Sequence, residues 1–128
     1  MPSPDATKPV LVIDDYPTIL RIMRRLLERA GFAEVDAASD AEEALAKLRA
    51  RPYGLVLSDW HMAPLSGYEL LKQVKADAET RDIPFVMISA DASPENAAAA
   101  REAGALGYIV KPFDAETLRA RVAAALRP

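Results

Sequence analysis

With 128 residues and 51% hydrophobic composition, the chain has the length and apolar content for one domain with its own core. A net charge of −3 and the lack of any run of lysines and arginines argue against nucleic acid as the direct partner. Cysteine is absent, which excludes disulfides and thiolate metal sites and is in keeping with a cytoplasmic setting.

The opening segment, 1–7, is polar and proline-rich, without the charged-then-apolar pattern of a signal sequence. It reads as a flexible tail ahead of a domain over 8–128. No apolar run approaches the length of a membrane span, so no membrane insertion is expected.

Five apolar runs then alternate with five helical patterns. The first run is Val10 to Ile13. A helix follows from about Pro17 to Ala30, with proline suited to the first turn and Gly31 as a stop. Ile19, Ile22, Met23 and Leu26 recur at helical spacing and mark its apolar stripe. The second run, "EVDAA", alternates weakly, as an edge strand does, with Val35 and Ala37 on one face. Asp40 is positioned as an N-cap and Glu43 completes a capping-box pattern. Ala44, Leu45 and Leu48 form the stripe of that helix, which Pro52 ends. The third run, "LVLS", is continuously apolar, as a strand covered on both faces should be. Leu70, Leu71 and Val74 mark the third helix and "FVMIS" the fourth strand. Ser93-Pro94-Glu95 opens a fourth helix that is mostly alanine. "YIV" is the fifth strand, and Leu118, Val122 and Leu126 line the last helix.

Strand-helix alternation repeated five times specifies a parallel sheet with helices on both faces, because parallel strands need long crossovers. In such a doubly wound sheet, ligands bind beyond the carboxyl ends of the strands. The polar residues at those ends are Asp14 and Asp15 after the first strand, Asp59 after the third, Ser89 after the fourth and Lys111 after the fifth. Two adjacent like charges near a surface repel by roughly 4 kcal/mol at 4 Å, so the acidic pair needs a reason. Three carboxylates in one pocket call for a cation, and an all-oxygen donor set selects a hard ion such as Mg²⁺. A lysine and a hydroxyl opposite the metal would complete a phosphoryl-binding site. A central carboxylate can be the nucleophile that accepts the group.

The segments "IDDY", "SDWHMAPLSG", "ISA" and "YIVKPF" together resemble a response-regulator receiver domain from about Lys8 to Leu126. The intervals are family-like: 44 residues from Asp15 to Asp59, 30 from Asp59 to Ser89 and 52 from Asp59 to Lys111. The resemblance implies a flavodoxin-like fold with strand order 2-1-3-4-5. It implies Asp59 as phosphoacceptor, with Asp15, Asp59 and the His61 carbonyl oxygen on Mg²⁺ and Asp14 acting through a metal-bound water. It further implies that Lys111 pairs with the phosphoryl group, Ser89 hydrogen-bonds it, Tyr108 is an aromatic switch residue, and the bond before Pro112 is cis. The implied donor is a histidine kinase or a histidine phosphotransfer protein, and output passes to a protein effector around the fourth helix, fifth strand and fifth helix. Such a protein is a switch that catalyses only its own phosphorylation and dephosphorylation, not an enzyme. Ala63 and Pro64 depart from the common pattern, in which proline stands four positions after the acceptor, and Ser66 stands where an acid is frequent.

Other readings stand beside these. Asp14 and Asp15 taken alone are also suited to capping the first helix, and Tyr108 to ordinary packing on an edge strand. Trp60 is expected at the pocket rim. His61 and Asp91 are expected to face each other across the path of attacking water. Two rival functions share parts of the pattern. An aspartyl-phosphate phosphohydrolase would carry its nucleophile after the first strand and need a cap, for which there is little sequence. A flavodoxin-like electron carrier would need a phosphate loop where "DDYPT" stands. The chain's end at Arg127-Pro128 leaves no room for a DNA-binding output domain, so the expected form is a single-domain receiver or a fragment of a longer regulator.

Overall fold

The computed structural model describes residues 8–126. The tail expected over 1–7, and Arg127 and Pro128, lie outside the described residues. The strands are β1 (Val10–Ile13), β2 (Val35–Ala38), β3 (Leu55–Asp59), β4 (Phe85–Ser89) and β5 (Gly107–Val110). The helices are α1 (Pro17–Arg29), α2 (Ala41–Ala50), α3 (Gly67–Ala76), α4 (Pro94–Glu102) and α5 (Ala115–Ala125). All strand pairs are parallel and the order is β2-β1-β3-β4-β5, a doubly wound, flavodoxin-like sheet. As the weak alternation of "EVDAA" predicts, β2 is an edge.

The central strands β1, β3 and β4 are buried along their whole length, so their side chains divide between two cores. On one face Val10, Val12, Leu55, Leu57, Val86 and Ile88 pack with Met23 and Leu27 of α1 and Leu118 and Val122 of α5. On the other, Leu11, Ile13, Val56, Phe85 and Met87 pack with residues of α2 and α3 and with Ala100 of α4. Each such aliphatic or aromatic side chain contributes roughly 1.5–3 kcal/mol on burial. The α4 helix buries only Ala100 completely, in line with its alanine composition.

Two local expectations are corrected. The stripe of α1 is carried by Met23 and Leu27, with Ile19, Leu20 and Leu26 partly covered, whereas Ile22 is 48% exposed. Ile22 lies about 100° around the helix from Met23, at the margin of the packed face. At α2, Asp40 accepts the Glu43 N–H at 2.8 Å, but the Glu43 carboxylate accepts from the backbone and hydroxyl of Ser39. The return bond therefore falls one residue before the cap. A complete reciprocal capping box occurs instead at α3, between Ser66 and Glu69. Ser66→Ala should lower stability by about 1 kcal/mol, seen as a lower urea midpoint at unchanged denaturant slope.

Candidate functional site

Strand register assembles the site. Ile13 pairs with Ser58, so Asp14, the next residue, stands beside Asp59. Asp59 pairs with Ile88, and Ser89 with Val110, so Ser89 and Lys111 follow at the same edge. Asp14 and Asp59 are buried, at 2% and 7% exposure, while Asp15 is exposed. The Lys111 ammonium is shared between them, 3.0 Å from Asp59 Oδ1 and 3.4 Å from Asp14 Oδ2. The Tyr16 N–H donates to Asp14 Oδ1 at 2.9 Å. Neither acid is the N-cap of α1; that position is Tyr16, with no side-chain cap.

The electrostatics follow from this crowding. Burial is the largest influence on Asp14 and raises its pKa, with the Asp59 charge adding to it; the Tyr16 N–H and Lys111 only partly offset the rise. Burial alone would lower the pKa of Lys111, but the hydrogen bond and charge of Asp59, then those of Asp14, hold it above its ordinary value. The pocket is thus short of positive charge even with Lys111 in it.

Ser89 is fully buried and its Oγ accepts the Asp91 N–H at 3.0 Å. Tyr108 is buried, and its hydroxyl donates to the Asp91 carbonyl oxygen. The Tyr108 ring meets Trp60 edge-on, with centroids 6.3 Å apart and planes at 73°. His61 is exposed. The Asp91 carboxylate accepts from the Ser93 N–H and the Asn96 amide at the start of α4, each at 2.8 Å. The Lys111–Pro112 bond is cis, as expected, and so is Ala63–Pro64.

Gly67 was not anticipated as a site residue. Its N–H donates to the Trp60 carbonyl at 2.8 Å, and a Cβ there would lie 2.1 Å from the Asp59 carbonyl oxygen. Only glycine lets α3 begin against the end of β3. A glycine at a helix start, where propensity gives no reason for it, was the available signal.

The donor chemistry fits a hard divalent cation: two buried carboxylates, a third exposed beside them, and no thiol. Among the described residues no three histidine, cysteine or acidic side chains converge closely enough to cage a metal unaided. What the edge offers is carboxylate oxygen, the donor type that hard ions such as Mg²⁺ take.

A family model described as the response regulator receiver domain matches residues 10–123. The chain is 40% identical over 113 residues to chemotaxis protein CheY-3 of Vibrio cholerae, covering 88% of this chain and 87% of that one. It is 34% identical to chemotaxis protein CheY of Pseudomonas aeruginosa, covering 88% and 91%. Among solved structures, chemotaxis response regulator CheY4 of Vibrio cholerae superimposes with a TM-score of 0.85 at 34% identity, covering 93% of this chain and 98% of that one. A putative response regulator from Chloroflexus aurantiacus gives 0.85 at 31% identity, covering 93% and 97%. The chain belongs to the response regulator receiver domain family. Members of this family are phosphoacceptor switch proteins of two-component signalling rather than conventional enzymes, which displaces the phosphohydrolase and electron-carrier readings. Among the described residues, no helix is long and apolar enough to cross a membrane.

Because Asp14 has a raised folded pKa, folding takes up a proton between the ordinary value of 3.8 and the raised one. The stability associated with protonated Asp14 is full below that window, is lost as pH rises through it, and stays lost above. In the absence of divalent cations, Asp14→Asn should therefore be more stable than wild type at neutral pH, with the difference shrinking as pH falls toward about 4. Urea denaturation across pH checks this.

Proposed function

We propose that this receiver accepts a phosphoryl group on Asp59 from a phosphohistidine donor, either a histidine kinase or a histidine phosphotransfer protein. The single observation that carries the reading is the Lys111 ammonium held 3.0 Å from Asp59 at the carboxyl edge of the sheet. The Asp59 carboxylate oxygen attacks phosphorus, an O–P bond forms, and the P–N bond to the donor imidazole breaks with its electron pair returning to the ring nitrogen. Lys111, released from Asp59 as its charge moves outward, pairs with the phosphoryl oxygens. Ser89 Oγ already accepts the Asp91 N–H, so its own O–H is left to donate to the same group. Asp15, Asp59 and the His61 carbonyl would hold Mg²⁺, with Asp14 reaching it through water. When bound, the ion offsets the negative charge that carboxylate and phosphoryl group bring together.

In this reading Ser89 and Tyr108 carry the change to the face formed by α4, β5 and α5, where a protein effector binds in the cytoplasm. The chain acts directly on neither nucleic acid nor membrane. The chemotaxis proteins among its relatives make a chemotaxis kinase the first donor to try.

Wild-type protein incubated with radiolabelled phosphodonor and Mg²⁺ should take up label, and Asp59→Asn should take up none under donor-limited conditions. Equal labelling of the two would overturn the assignment. Mg²⁺ titration followed by fluorescence of Trp60, the only tryptophan, separates the other roles. Asp15→Ala should abolish the response, and Lys111→Ala should retain it.

A further inference from the structure

Tyr68, the second residue of α3, lies nearly flat on Trp60, with ring centroids 5.1 Å apart and planes 7° from parallel. Trp60 in turn receives Tyr108 edge-on. The backbone under this arrangement is fixed at both ends. The Trp60 N–H donates to the Ile88 carbonyl at 2.9 Å, and the Trp60 carbonyl accepts the Gly67 N–H. The close approach that Gly67 permits is what brings Tyr68 over the indole. With the main chain pinned, the freedom left to Trp60 is rotation of its side chain, and the Tyr68 ring restrains that rotation. Lys72, one turn further along α3, sets its ammonium 4.6 Å from the Tyr68 ring centroid and steadies that ring in turn. Beyond Tyr108, the tyrosine hydroxyl holds the Asp91 carbonyl, and the Asp91 N–H holds Ser89 Oγ. An unbroken series of contacts therefore leads from the surface of α3 to the hydroxyl at the end of β4.

We propose that Tyr68 is a positioning residue: by stacking on Trp60 it fixes the surface against which Tyr108 is seated, and so sets how firmly Tyr108 stays inward and bonded to the Asp91 carbonyl. Among the described residues Tyr68 has no hydrogen bond to a site carboxylate, and it acts through the indole. A stacked aromatic pair changes such an equilibrium by roughly 2- to 10-fold beyond the area it buries.

The test uses the unphosphorylated chain, so its outcome is independent of whether Asp59 is the acceptor. Tyr68→Phe, Tyr68→Leu and Tyr68→Ala are compared by acrylamide quenching of Trp60 fluorescence and by the ring-proton shifts of Tyr108, which the neighbouring indole displaces. Phenylalanine should reproduce wild type. Leucine, which fills space without stacking, and alanine should make Trp60 easier to quench. Both should raise the outward population of Tyr108 by roughly 2- to 10-fold. In a Trp60→Leu background, Tyr68→Leu should leave the Tyr108 shifts unchanged. Wild-type behaviour of Tyr68→Leu would overturn the proposal by reducing Tyr68 to filler. Unmoved Tyr108 shifts despite a loosened Trp60 would overturn it too, as would an undiminished effect of Tyr68→Leu without the indole. If Tyr68→Ala fails to fold, the leucine and phenylalanine arms decide the matter.

Discussion

One ammonium group shared by two buried carboxylates is the constraint to which the rest of the fold answers. Asp14 and Asp59 end neighbouring strands, but Lys111 ends β5, with β4 standing between it and β3. Strands lie about 4.8 Å apart, so Lys111 and Asp59 must reach toward each other across roughly 10 Å of sheet edge. That reach demands that β3, β4 and β5 end level with one another, which the parallel register provides. It also brings the lysine past Ser89, the residue that ends β4. The charge arrangement and the strand order are thus two statements of one geometry. Were β5 to leave this edge the two acids would be buried without their cation, and a buried charge without a partner is strongly destabilising.

The two cores serve this edge in different ways. The face covered by α1 and α5 is built mainly from branched aliphatics, with Met23 and Phe32. The opposite face adds Phe85, Met87, Tyr108 and several alanines to its own branched aliphatics, and there the rings of Trp60, Tyr68 and Tyr108 lie against one another. Polar groups inside this half are all partnered; among the described residues no buried side-chain nitrogen or oxygen lacks a hydrogen bond. The site is therefore an organised set of short-range bonds rather than an open acidic cleft.

The sheet order, the five helices and the meeting of Asp14, Asp59, Ser89 and Lys111 were legible because each depends on a local pattern placed by a general rule. Apolar runs give strands, and parallel strands deliver their last residues to one edge. What the pattern could not carry was decided by tertiary approach. Ile22 fits a helical repeat as well as Leu27 does, and only the position of α1 against the sheet separates them. Glu43 sits at the right interval for a capping box, yet Ser39 offers its carboxylate two donors at once. The bonds that Asp91 accepts from Ser93 and Asn96 at the head of α4 likewise depend on the path of the loop after β4. The Tyr68–Trp60 stack joins residues eight apart through a turn whose path depends on Gly67, and no periodicity announces it.

The absent side chain of Gly67 also divides the molecule mechanically. It seats the head of α3 on the last carbonyls of β3, and four buried residues and a full capping box hold the helix there. Its neighbour α4 has a single buried residue, Ala100, within a run of four alanines. Elements with so little buried area open at lower free energy than those around them. Under the proposed function, a disturbance starting at Asp59 would therefore meet a firmly seated helix on one side and a more compliant one on the other.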